Sequence, residues 1–222
     1  GRAVLLEADG AVVVVTSEDV ARCIENIGVG FLFAVSHHGA MKHAIGPRRE
    51  MVVRTIFNAL GPLTNPAGAK RQVLGVYSPH LVRPIADVLV NLGSEHVLVV
   101  HSEDGLDEIS ISAPTYVAEL KDGSVEEYQI GPEDFGLTPS PLSELVINDS
   151  NESLAMVRRA LSSEHAGASN MVALNAGAAI YASGKAHSLK AGVDMAQDAI
   201  GSGLAGEKLK DFAAFTRQVA AD

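Results

Sequence analysis

Two short apolar runs, QVLGVY at 72–77 and EHVLVVHS at 95–102, bracket the stretch PHLVRPIADVLVNLG. Each run has the length and the β-branched content of a strand covered on both faces. The stretch between them spaces its apolar residues as a helix does, with Pro84 falling within its early turns. Strand, helix and strand at this distance make a βαβ unit, whose strands are parallel and whose crossover is right-handed. This unit commits the chain to an α/β fold. It also sets where a ligand would gather, at the carboxyl ends of the parallel strands.

The flanking sequence extends that reading. TYVAELKDGSVEEYQI alternates on either side of Asp122-Gly123, a strong two-residue hairpin signal. GPEDFGLTPSPLSEL is irregular and proline-rich. From about residue 150 the chain is helical, beginning with good cap residues in NDSNESLAMVRRALSS. ASNMVALNAGAAIYASG is small and apolar on most sides, as a buried, closely packed helix would be. SLKAGVDMAQDAIGSG and GEKLKDFAAFTRQVAA complete the helical part. Upstream, residues 3–9 form a short helical pattern closed by Gly10, and AVVVV (11–15) is either a strand or an apolar lead. Thr16-Ser-Glu-Asp then caps a helix that ends at Gly28. GFLFAV (30–35) is expected as another buried strand, Pro47 opens the helix RREMVVRTIFNAL, and GPLTNPAGAKR is a loop. The sum is one α/β domain over 1–222, with a mostly parallel sheet flanked by helices.

Charge narrows the partners. The net charge is −10 and there is no block of five or six basic residues, which argues against nucleic acid and against an anionic membrane. Local arginines can still hold a phosphate or carboxylate. No apolar run is long enough to span a bilayer, and no secretory signal pattern opens the chain. The one cysteine, Cys23, excludes an internal disulfide and reads as a small buried hydrophobe. A cytoplasmic location is expected. The opening GRAVLLEADG lacks an initiator methionine and is already helix-patterned, as a fragment would be.

The strongest chemical signal follows the second strand. HSEDGLDEI packs Glu103, Asp104, Asp107 and Glu108 into six residues. Carboxylates so close repel one another unless a cation joins them. Mg²⁺ suits such a loop, because it takes oxygen ligands and often binds through one or two carboxylates plus substrate phosphates. Asp107 and Glu108 are consecutive, and Gly105 permits a tight turn before them. A solvated acidic turn accounts for the same composition, and EF-hand spacing is missing. On the basic side, Lys42, Arg48, Arg49 and Arg54 cluster in sequence, with Arg48 and Arg49 beside Pro47. A guanidinium there either holds a carboxylate in a bidentate pair or lies on a solvated helix face. His37 and His38 are open to structural or catalytic readings.

GFLFAVSHHGAMKHAIGPRREMVVRTIFNALGPLTNPAGAKRQVLGV, with VVHSEDGLDEIS and NAGAAIYASGKAHSLKAGVDMA, resembles the anthranilate phosphoribosyltransferase family over nearly the whole chain. The pairing of RTIFNALGPLTNP with DGLDE carries the resemblance. It implies a Mg²⁺-dependent transfer of the ribose of phosphoribosyl pyrophosphate to anthranilate, releasing pyrophosphate, in tryptophan biosynthesis. It assigns Asp107 and Glu108 to the metal and Arg48 to anthranilate. His38, Met41, Gly61 and Pro62 match positions lining the anthranilate channel. Gly1 and Arg2 fall in a family segment near the phosphate, where Arg2 replaces a serine and Val4 an aspartate. The family's fold pairs a small helical domain with a larger α/β domain and is usually a homodimer through the helical part. The family's glycine-rich GTGGD loop and its Lys-His-Gly-Asn segment do not occur in these 222 residues. The chain by itself is therefore expected not to turn over. The alternatives are a pyrimidine nucleoside phosphorylase-like enzyme, a non-catalytic nucleic-acid-binding relative, which the charge opposes, and a truncated remnant that only folds and associates.

Overall fold

A computed structural model describes residues 2–33, 63 and 67–221, leaving the side chains of Arg2 and Val4 aside. The βαβ unit forms as the sequence predicts. Strand β1 (Arg71–Gly75) leads through a 3₁₀ turn (Pro79–Leu81) into a helix at Val82–Asn91 and then into β2 (His96–Ser102). The pair is parallel, with Gly75 opposite Val100. Strands β3 (Thr115–Lys121) and β4 (Ser124–Ile130) add antiparallel neighbours, giving the order β1-β2-β3-β4. The hairpin turn is Asp122-Gly123, both with positive φ (50° and 78°), and Lys121 pairs with Ser124. Two successive left-handed residues match the right-handed twist of the strands they join.

The α/β class holds, but the described sheet is mixed rather than mostly parallel: one pairing is parallel and two are antiparallel. The two-residue turn leaves no room for a crossover between β3 and β4, so they must run antiparallel. The expected strand at 30–35 is not seen in its described part, since residues 30–33 carry no strand. Phe31 and Phe33 stack instead, and Phe31 packs on an apolar cluster containing Ala11, Phe212 and Ala213. Residues 11–15 form neither helix nor strand and lead into the capped helix.

Among the described residues, helices run over α1 (Arg2–Ala8), α2 (Ser17–Ile27), α3 (Val82–Asn91), α4 (Ser150–Leu161), α5 (Ala166–Ala182), α6 (Leu189–Gly201) and α7 (Leu204–Val219). Thr16 and Asp149 cap α2 and α4 through their side chains, as their residue types predict. All seven residues of β2 are buried, and alternation divides them between two cores. Leu98 and Val100 face Leu174, Ala178 and Tyr181 of α5 together with Val193 of α6. Val97 and Val99 face Val82, Ile85, Ala86 and Leu89 of α3. α5 can lie this close to α6 because Gly177 carries no side chain: a Cβ there would stand 2.5 Å from the Val193 Cα. The small residues of the α5 sequence are the condition for that approach.

Candidate functional site

The carboxyl ends of β1 and β2 open on a cleft of about 410 Å³. Val73, Gly75 and Val100 form its floor, Met171, Val172, Asn175 and Ala176 of α5 one wall, and Asp107 and Glu108 its acidic side. This is the size range of small-molecule sites. It is also the edge of the sheet that the βαβ unit selects.

The four clustered carboxylates divide into two pairs. Glu103 turns away from the cleft, and its Oε1 accepts from Tyr116 OH (3.0 Å) and Gln129 Nε2 (3.2 Å) on β3 and β4. Asp104 folds the loop on itself: its Oδ2 accepts from Ser110 Oγ (2.5 Å) and its Oδ1 from the Leu106 N–H (3.4 Å). Burial pushes the Asp104 carboxyl up. Hydrogen bonds from Ser110, Ser102, the Leu106 amide and Ser112 outweigh it and hold the group below the usual aspartate range. Asp107 and Glu108 are the pair that lines the cleft, Asp107 exposed and Glu108 half-buried. Among the described residues no group of three or more metal-ligating side chains occurs. Two neighbouring hard oxygen donors beside an open cleft suit a cation that completes its shell with water and substrate oxygens, which is how Mg²⁺ is commonly held.

The backbone around this pair is fixed from two sides. Gly75 ends β1 directly against the loop, and a side chain there would overlap the Asp107 carbonyl. On the other side Asn175 of α5 bonds the backbone of Ile109. Sequence reasoning assigned neither residue to the site. The signals were a glycine inside a strand, which marks close backbone approach, and an asparagine in the middle of a largely small, apolar helix. His101, at the same edge, is buried and places Nδ1 2.8 Å from the Val76 carbonyl. Since a carbonyl only accepts, Nδ1 carries the proton.

Of the residues assigned from sequence, Asp107 and Glu108 come together in the cleft. Gly1, His38, Met41, Arg48, Gly61 and Pro62 lie outside the described residues, as does the side chain of Arg2. No helix among the described residues is long and apolar enough to cross a membrane.

The sequence profile of the glycosyl transferase family, a/b domain, matches residues 1–206. The chain belongs to this family. Within the glycosyl transferase family, the chain is similar to anthranilate phosphoribosyltransferase of Cellvibrio japonicus. The two are 58% identical over 221 residues, covering 98% of this chain and 64% of the relative. The crystal structure of anthranilate phosphoribosyltransferase from Thermus thermophilus superposes with a TM-score of 0.90 at 44% identity, over 98% of this chain and 64% of that one. The Saccharomyces cerevisiae enzyme in complex with PRPP and Mg superposes with a TM-score of 0.88 at 26% identity, over 98% of this chain and 63% of that one. The same yeast protein in complex with 4-fluoroanthranilate gives 0.87 at 25%, over 98% and 63%. The chain thus spans just under two thirds of the length of these relatives.

Proposed function

We propose that these residues are the α/β part of an anthranilate phosphoribosyltransferase, which moves the phosphoribosyl group of phosphoribosyl pyrophosphate to the amine of anthranilate and releases pyrophosphate. The observation that carries this reading is the place of the acidic loop: its consecutive carboxylates Asp107 and Glu108 line a cleft at the carboxyl edge of the parallel pair. The yeast relative's complexes with PRPP and Mg and with 4-fluoroanthranilate support the same two substrates here.

Asp107 and Glu108 would hold Mg²⁺, which when bound neutralises charge developing on the departing pyrophosphate. The protein's own share is positional. The loop carries the two carboxylates, while Val73, Val100, Met171 and Val172 keep the floor and wall apolar. By resemblance, Arg48 holds the anthranilate carboxylate, and His38, Met41, Gly61 and Pro62 line its channel. Gly1 and Arg2 approach the phosphate side. The homodimer belongs to the same reading, as does a cytoplasmic location.

Titration of the 222-residue chain with phosphoribosyl pyrophosphate and Mg²⁺, followed by amide NMR, tests the reading. Resonances of Asp107, Glu108 and Ile109 should move, Asp107→Asn should abolish the movement, and thymidine with phosphate should produce none. A wild-type spectrum unchanged at those three residues overturns the reading. With anthranilate added, the chain should show no turnover, because a glycine-rich phosphate loop is not among its residues. Turnover at the rate of an intact relative would refute that expectation.

A further inference from the structure

We propose that Asn175 is a positioning residue for the Asp107–Glu108 pair, setting where the two carboxylates stand in the cleft through the backbone that follows them. This rests on the metal role given to that pair above.

The geometry is specific to one side chain. Asn175 Oδ1 accepts from the Ile109 N–H at 2.9 Å, and its Nδ2 donates to the Ile109 carbonyl at 2.8 Å and to the Met171 carbonyl at 3.0 Å. The arrangement has only one workable amide orientation. Flipping it would set NH₂ against N–H and oxygen against two carbonyls. Ile109 directly follows Glu108 and is 2% exposed, so water is no substitute partner for its backbone. It sits outside the β2–β3 ladder. Among the described residues, the Asn175 amide is the partner of both of its main-chain groups.

Two constraints therefore flank the carboxylates. Gly75, by lacking a side chain, admits the Asp107 carbonyl against β1, and Asn175 ties the next-but-one residue to α5. Side chains carried between two fixed backbone points lose little further freedom when a cation joins them. Groups that orient metal ligands in this way typically matter about 10- to 100-fold in affinity. A merely structural asparagine would stabilise the fold without changing the affinity of a folded protein for metal.

The test uses Asn175→Ala, and Asn175→Leu as a variant that keeps side-chain volume should alanine fail to fold. Two readouts are taken on the folded chain: hydrogen exchange at the Ile109 amide, and Mn²⁺ affinity with pyrophosphate present, read from paramagnetic broadening at residues 107–109. The expected result is Ile109 exchange at least roughly 10-fold faster with β2 amides unchanged, and Mn²⁺ bound about 10-fold more weakly. Unchanged Ile109 exchange overturns the clamp. Faster exchange with wild-type Mn²⁺ affinity reduces Asn175 to a structural residue and also overturns the proposal. Absence of localised broadening in the wild type is a different failure: it removes the metal reading itself, whatever Asn175 does.

Discussion

The sheet carries acidic groups at both poles, and they are treated oppositely. At the carboxyl end of β2, Asp107 and Glu108 line an open cleft. At the other end, Glu119 of β3 is almost enclosed, with a side chain 13% exposed. Its Oε1 meets His96 Nε2 at 2.8 Å and Tyr181 OH at 2.7 Å, and its Oε2 accepts from Tyr128 OH at 2.6 Å. Lys121 donates to Tyr181 at 3.1 Å, and the His96 ring stands edge-on to Tyr181. An ionised carboxylate only accepts, so His96 must carry its proton on Nε2. The comparison separates two meanings of a carboxylate. Glu119 is gripped by three donors of the protein itself, whereas Asp107 and Glu108 border the larger cleft at the carboxyl ends of the parallel strands.

Removing Glu119 should break the comparison hardest. Glu119→Ala leaves three donors, the buried His96 and Tyr181 and the half-buried Tyr128, without their acceptor and is expected to cost about 3 kcal/mol, a fall of roughly 6–12 °C in Tm. The same group shows itself in acid. Burial pushes its carboxyl up, but hydrogen bonds from Tyr128, Tyr181 and His96 win and hold it below the ordinary glutamate value of 4.5. A depressed folded value means that this stabilisation is complete above about pH 4.5 and is lost as the pH falls further. Denaturant titrations across that range should show a shallower acid limb for Glu119→Gln.

A smaller effect, about 1–3 kcal/mol, is expected for Gly75→Ala, because the added methyl must displace the Asp107 carbonyl. Exchange should rise at residues 107–109 and not at Val97–Val100. A uniform rise through the sheet would mean that the cleft is not a separable region. The smallest stability change belongs to Asp107→Asn, within about 0.5 kcal/mol and of either sign, since it relieves repulsion beside Glu108. A loss as large as that of Glu119→Ala would erase the distinction between the poles.

Local chemistry made much of this legible. The βαβ unit, the Asp122-Gly123 turn and the Thr16 and Asp149 caps are written in residues a few positions apart. The acidic loop and its Asp107–Glu108 pair were legible too. What separates Glu103 and Asp104 from that pair was only partly so, because it depends on Tyr116 and Gln129 arriving from β3 and β4. The Glu119 network was hidden for the same reason: its Tyr181 partner lies 62 positions away. Asn175 reaches Ile109 across 66 positions, and no periodicity announces such a contact. The described part of GFLFAV, residues 30–33, misled because an apolar run satisfies a helical neighbour as readily as a neighbouring strand.

Asn175 and Tyr181 are six residues apart on one continuous helix, so the open and closed poles are joined by a ruler. At ~1.5 Å per residue their separation along the axis is about 9 Å, fixed by helical rise and independent of every loop in the molecule. Inserting one residue between them would swing one end by about 100° relative to the other, and no choice of side chain at either end could restore both grips.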